Sequence, residues 1–384
     1  MNNLPIGDDM SPELALQLFH NGAIFVLKNA PFGLEFGIDY KSWNVCEKFL
    51  GVKMIPPGVH FIYCSIRNAP RIGFFHNFEA QEILVRKWDR KAEDFSNWTP
   101  DSDEIDRLRA NLKNIDSGLG AYPYSVYRQW VSLTSAITPH TILRIQPANP
   151  LGRITSQTEF ITKEQELDKR LAFLGDDVGT SIVNRLNSER IRFIDAEGLP
   201  VMTPRHGTLI SFTDVPQVEV IRFDSIRIFF HFQLADTNLK KAGIDSSDRL
   251  YRLLDALEGD YKKLLAEFQF SFVVFLIGQV YEGYEQWKRL MHLACSCQRA
   301  LLSHTTFFAE LLMVIFYQIK ECPDDFFQDN LARDNFLATT LSLLFANIED
   351  SPKEKIDQLF VAKSAKFKSF LAKKFKRSFD LPDD

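Results

Sequence analysis

The sequence predicts an α+β protein: a β-rich, sandwich- or barrel-like N-terminal domain followed by an all-α C-terminal domain. Three observations carry this. Short apolar runs punctuated by Gly and Pro fill most of the first hundred positions, the pattern of strands joined by turns. From about Ser246 the apolar residues recur at three- and four-residue spacing and hold that period to the C-terminus. With 384 residues, 45% of them hydrophobic and 34 of them Phe, the chain can fill two large cores. The division expected is residues 1–165 for the β-rich domain and 245–384 for the helical one. Between them, 166–244 reads as an irregular connection, part of which, about 205–215, returns to the first domain.

Taken in order, Ser11-Pro12-Glu13 is a helix start: serine caps, proline takes the first helical position, and glutamate suits the positive end of the dipole. That helix runs to about His20, with Gly22 just beyond its end. Strands follow at Ala23–Leu27, Leu34–Ile38, Val59–Ser65, Ile72–Phe75 and Ile83–Trp88, set apart by turns such as Asn29-Ala30-Pro31-Phe32-Gly33 and Pro56-Pro57-Gly58. No helical period intervenes, so the expectation is antiparallel pairing. A second capped helix starts at Thr99-Pro100-Asp101 and reaches about Ile115, and a third covers Val126–Ile137. Pro139, Pro147, Pro150 and Gly152 mark irregular chain, and Thr208–Phe212 reads as a strand.

In the C-terminal half Leu250, Leu253, Leu254 and Leu257 share one face, and Leu264, Leu265, Phe268, Phe272 and Phe275 continue the pattern. Thr305–Lys320 is apolar on most sides and should be a central helix. Phe336–Ile348 and Ile356–Phe375 complete at least five helices in a bundle or short solenoid. No repeat of constant length runs through them.

Net charge is −5, which argues against broad phosphate binding. Five cysteines at irregular spacing, Cys46, Cys64, Cys295, Cys297 and Cys322, make no disulfide framework and fit a reducing compartment. The stretch from Met1 to Met10 has neither the basic start nor the apolar core of a signal peptide. The longest apolar run, Phe268 to Val280, is too short and too interrupted to span a bilayer.

Phosphate-binding, zinc-protease and nucleophile-elbow motifs are absent, and eight scattered histidines form no set. No catalytic, cofactor-binding or metal-binding residue is therefore assigned. His292 and Cys295 share a helical face, but Cys297 points elsewhere, so the three are read as buried small hydrophobes. Asp101, Asp103, Glu104 and Asp106 are read as acids favouring a helix start. Two places suggest partner contact. Trp287, Lys288 and Arg289 place an aromatic beside two cations, the pairing that dominates interface hot spots, although core packing explains Trp287 as well. Val361 to Phe379 holds seven cations and no acid, among them Lys373, Lys374, Lys376 and Arg377. Leu359, Phe360, Phe367, Phe370, Leu371 and Phe375 fall on the opposite face, so a basic helix packed on the bundle with solvated lysines is expected.

Several long motifs occur in a distinctive order: Gly33-Leu34-Glu35-Phe36-Gly37-Ile38-Asp39-Tyr40-Lys41-Ser42-Trp43, then Gly51 to Phe61, Tyr122-Pro123-Tyr124, Trp130 and Leu133-Thr134. The second half adds Glu267-Phe268-Gln269-Phe270-Ser271-Phe272, Val280-Tyr281-Glu282, Trp287-Lys288-Arg289-Leu290, Asp325-Phe326-Phe327 and Asp334-Asn335-Phe336-Leu337. Across about residues 11–160 and 245–378 the chain resembles the Aar family of cistron-splicing factors. The resemblance implies a helical domain similar to VHS domains. It also implies a non-enzymatic assembly factor for the U5 small nuclear ribonucleoprotein, present in cytoplasm and nucleus. Such a factor binds the RNase-H-like domain of the large spliceosomal scaffold protein and holds a precursor particle until a helicase subunit is incorporated. It further implies a monomer before complex formation, with no cofactor, no sequence-specific nucleic acid and no membrane as partner. Val220–Gln233 has no counterpart in the family pattern and reads as an extra edge strand, a loop insertion or a retained intron. VHS-like bundles also bind sorting signals and ubiquitin, so a trafficking adaptor is the competing reading.

Overall fold

The computed structural model describes residues 11–160, 202–205, 207–216, 245–322, 336–352 and 354–380. Val220–Gln233 and Asp325–Phe327 lie outside them. Helix α1 (Pro12–Asn21) begins as expected: Ser11 is extended and its side chain accepts from the Leu14 amide. It ends at Gly22, which turns extended at φ −67° and ψ 148°, where a side chain has no room. A Cβ would lie 2.3 Å from the Leu18 carbonyl oxygen and 2.8 Å from Met54 Cα.

Ten strands make two facing five-stranded sheets. The first contains β1 (Ala23–Lys28), β4 (Gly51–Ile55), β7 (Ile83–Asp89), β8 (Asp94–Phe95) and β9 (Leu119–Ala121), in the order β8-β7-β1-β4-β9. The second contains β2 (Glu35–Ile38), β3 (Lys41–Asn44), β5 (Gly58–Ser65), β6 (Ile72–Phe78) and β10 (Ile154–Thr155), in the order β10-β6-β5-β2-β3. The second sheet is antiparallel throughout. The first is mixed, which corrects the antiparallel expectation: β1 runs parallel to β7 and β4 parallel to β9. The strands of the second sheet intervene in the chain between β1 and β7, so that connection crosses over rather than turning back. A small antiparallel pair, β11 (Thr158–Phe160) with β12 (Met202–Pro204), leads to Arg205, which reaches Asp94 of the first domain at 2.9 Å.

Phe25, Val52, Phe36, Phe74 and Trp88 belong to the core between the sheets. Strand β5 has a second buried face. Ile62 and Cys64 point into that core, whereas Phe61 and Tyr63 point the other way, into a layer shared with helices. Burial on both faces explains why Val59–Ser65 reads as a continuous apolar run rather than an alternation. On the outer face of the first sheet, Val26, Ile83 and Val85 are covered by Trp98, Ile105, Leu108 and Leu112. These come from the chain leading into α2 (Ser102–Ala110), from α2 itself and from α3 (Leu112–Ile115). The single helix expected to Ile115 is thus broken at Asn111. Helix α4 (Tyr127–Thr134) follows a 3-10 turn. The proline-marked chain then contains an unexpected helix, α5 (Pro139–Ile145): Thr138 and Thr141 form a capping box and Pro139 sits in the first turn, where its missing N–H costs nothing.

Seven helices of the C-terminal half are described: α6 (Ser247–Ala256), α7 (Tyr261–Leu276), α8 (Tyr281–Cys295), α9 (Arg299–Ser303), α10 (Thr305–Glu321), α11 (Phe336–Glu349) and α12 (Gln358–Phe375). Helix α10 is well buried, but α7 occupies the position between the domains. Every residue from Leu264 to Val274 of α7 is buried. Phe268 and Phe272 join the bundle core, while Phe270, Val273 and Val274 join the layer against β5 and β6. Phe270 stacks on Phe75 of β6 with ring centroids 4.4 Å apart.

Candidate functional site

The polar residues inside α7 are the first feature to explain, because a buried charge is costly unless paired and hydrogen-bonded. Glu267 is fully buried. Its Oε2 accepts from Arg144 Nη2 of α5 at 2.8 Å and from Thr213 Oγ1 at 2.6 Å. Its Oε1 accepts from the Thr213 amide at 2.7 Å and from Gln286 Nε2 of α8 at 2.9 Å. Four donors from three parts of the chain thus meet one carboxylate. Gln269, also fully buried, accepts from the Ala136 amide at 2.7 Å and donates to Ser135 Oγ at 3.2 Å. Arg71 reaches from the second sheet to the Ile277 carbonyl at 2.8 Å and to Glu35 at 2.9 Å. Gln129 of α4 donates to the Glu321 carboxylate. Side-chain polarity at this junction therefore sets how the two domains sit on one another.

Thr208–Phe212 was expected to be a strand, and the structure corrects this. The segment is extended but has no ladder, and its one backbone bond to α5 runs from the Ser211 amide to the Ile145 carbonyl at 2.9 Å. Two residues on, the Thr213 amide donates instead to Glu267, while Ile210 and Phe212 pack on the shared layer. It is a strap across the junction.

A second buried cluster lies in the N-terminal domain. Asp39 Oδ2 accepts from Tyr122 OH at 2.5 Å and contacts His60 Nδ1 at 2.7 Å, while Oδ1 accepts from the Phe61 amide at 3.0 Å. The other ring nitrogen of His60 faces the Pro56 carbonyl at 2.8 Å. Both ring nitrogens therefore lie within hydrogen-bond distance of an oxygen. Burial, reinforced by the neighbouring Asp39, pushes the Tyr122 phenol far above its usual range. With Asp39 and His60 0% and 1% exposed, the cluster joins strands from within and meets no solute.

The partner candidates fall into different places. Trp287 is a correction: its ring is 1% exposed, lies against Phe268 and Phe272, and its Nε1 donates to Gln318 at 2.9 Å. It belongs to the bundle core and offers a partner no surface. Lys288 is half-buried, 2.7 Å from Glu285 and over the Tyr284 ring, and Arg289 is exposed. On α12, Phe360, Phe367 and Leu371 are buried as expected, but Leu359 is 62% exposed and lies off that face. The lysines are not uniformly solvated. Lys374 Nζ donates to the carbonyls of Ile319 at 3.1 Å, Lys320 at 2.8 Å and Cys322 at 2.7 Å, capping the negative end of α10. Lys368 bridges Glu349 and Asp380, each at 2.7 Å. Lys376 ends α12 in the left-handed conformation, φ 51° and ψ 39°, and is exposed along with Lys373 and Arg377.

Among the described residues no three His, Cys, Asp or Glu side chains are grouped to hold a metal. Burial pushes the Cys297 thiol up to about 12, and its Sγ donates to the Leu293 carbonyl, so the thiolate a metal needs is disfavoured. Asp101 caps α2 by accepting from the Glu104 amide at 2.7 Å, and Glu104 pairs with Lys28. A cavity in the bundle, lined by Leu250, Leu264, Phe268, Leu290 and Phe307, measures about 10 Å³ and is of water size. No helix among the described residues is long and apolar enough to cross a membrane.

A two-sheet domain built directly onto a helical bundle, joined through buried polar contacts and a shared apolar layer, defines a two-domain α+β protein. Residues 21–147 match the family model for the AAR2 N-terminal domain, and residues 231–380 match that for the AAR2 C-terminal repeat region. The chain is 47% identical to the Protein AAR2 homolog of Caenorhabditis elegans, over 98% of this chain and 99% of that protein. It is 35% identical to the Protein AAR2 homolog of Homo sapiens and 34% to that of Mus musculus, each over 96% of this chain and 93% of the relative. The chain belongs to the AAR2 family.

Proposed function

We propose that this chain is a non-enzymatic assembly factor for the U5 small nuclear ribonucleoprotein. It binds the RNase-H-like domain of the large spliceosomal scaffold protein and holds a precursor particle before the helicase subunit is incorporated. It works as a monomer until it meets its partner, in cytoplasm and nucleus, and needs no cofactor. The observation that carries this reading is membership of the AAR2 family over nearly the whole chain. The architecture supports it: two domains fixed on one another through a buried polar junction give a preorganised surface, which lowers the ordering cost of gripping a protein. Size-exclusion chromatography of the full chain with the purified RNase-H-like domain tests it. Co-elution at micromolar concentration is expected, and separate elution overturns the reading.

A further inference from the structure

The outward face of α12 carries charge that the fold does not use. Lys368 and Lys374 are held by the bundle, as described. Lys363, Lys366, Lys373 and Lys376 are exposed and make no ion pair among the described residues. No acid lies between Gln358 and Phe375 to relieve them, and like charges three positions apart on a helix repel. At 3.6 residues per turn, Lys363, Lys366 and Lys373 fall within about 80° of one another and extend over about 15 Å of helix.

Beside these cations the exposed surface is built from Ala362, Ala365 and Ser369, and it begins at Leu359, 62% exposed. Small side chains let a second helix approach closely, and Leu359 offers an apolar anchor at one end. None of the exposed residues of α12 is aromatic, so the face lacks the stacking platform on which single-stranded RNA is held. Charge, shape and chemistry together favour a helix of a protein over a phosphate backbone.

We propose that the outward face of α12 docks an acidic amphipathic helix of a protein partner. The partner's apolar seam lies on Leu359 and the small residues, and its carboxylates meet Lys363, Lys366 and Lys373. The test uses the full chain and two labelled probes in fluorescence anisotropy: a synthetic helical peptide of about 21 residues, six turns long, with a Leu/Ala seam edged by Glu, and an oligouridylate of matching charge. The peptide should bind more tightly than the oligouridylate and weaken as salt rises. The triple variant K363E/K366E/K373E should weaken peptide binding by about tenfold or more, the sum expected of several exposed ion pairs. A second variant, A362Q/S369Q, adds bulk without charge and should also weaken it. Both variants should keep the parent melting temperature, since the positions are exposed. No peptide binding, binding indifferent to either variant, or equal binding of the oligouridylate overturns the proposal; the last would make the face a general polyanion surface.

Discussion

Arg144 donates to Glu267 at 2.8 Å across 123 residues of sequence, so that a 24% exposed guanidinium of the β-rich domain pairs with a fully buried acid of the helical one. Removing the cation leaves the carboxylate buried with only neutral donors. Arg144→Leu should therefore destabilise the protein by about 3–5 kcal/mol, the usual result of orphaning one partner of a buried pair. Glu267→Gln keeps the shape and should cost less. Chemical denaturation of the two variants checks the order, and a milder Arg144→Leu would show that Thr213 and Gln286 suffice.

Acid should act at the start of α6. Burial on its own would raise the Asp245 carboxyl, but hydrogen bonds from Ser247, from Arg299 and from the Gln298 amide outweigh it and hold the group at about 2. A folded value below the unfolded one means stability that is present above the ordinary carboxylate range and lost as pH falls toward 2. The melting-temperature gap between the parent and Asp245→Asn should be clear at neutral pH and close on acidification. A constant gap would remove the ionic explanation.

Thiol accessibility should divide the cysteines. Cys46 is exposed, whereas Cys64, Cys295, Cys297 and Cys322 are buried, and burial pushes Cys297 and Cys322 up to about 12. An aromatic disulfide reagent should titrate one thiol quickly in the native protein and all five after denaturation. Fast reaction of Cys297 would contradict the packing around α6 and α9.

The two neighbouring lysines of α12 should behave differently. Lys374→Met removes the cap on the α10 carbonyls and should cost about 1 kcal/mol, whereas Lys373→Met at an exposed position should stay within about 0.5 kcal/mol. Thermal melts of both single variants decide it, and equal values would mean that the cap is replaced by water.

Trp287→Phe should lower stability by about 1–3 kcal/mol, because Gln318 Oε1 is buried and loses its donor. Partner affinity, measured well below the melting temperature, should not change. A selective loss of binding would restore Trp287 as a contact residue.

The legible parts of the fold are those where one local signal decides the outcome. Ser11-Pro12 starts α1, and Val59–Ser65 differs from β5 by one residue. Strand β4 was less visible because it bulges: Ala23 faces Ile55 while Phe25 faces Val52, and Met54 takes a φ of 61°. Strand β3 is short and polar, and α5 was hidden by prolines, one of which starts it. The junction was the least legible part. Glu267 and Gln269 are polar positions on nearly opposite sides of an otherwise apolar helix, and only the tertiary contacts to Arg144, Thr213 and Ser135 show why both are buried. Lys374 and Lys373 are likewise indistinguishable until the end of α10 is in view.

Phe75, Phe61 and Tyr63 on one side and Phe270, Val273 and Val274 on the other form a layer that neither half of the chain completes alone. Cutting the protein near residue 165 would turn that layer into an exterior on both fragments, with rings as tightly apposed as Phe75 and Phe270 facing water. The described halves should therefore melt together in one calorimetric transition, and each expressed separately should be sticky and prone to aggregate. The unit of folding here is the joined pair rather than the domain.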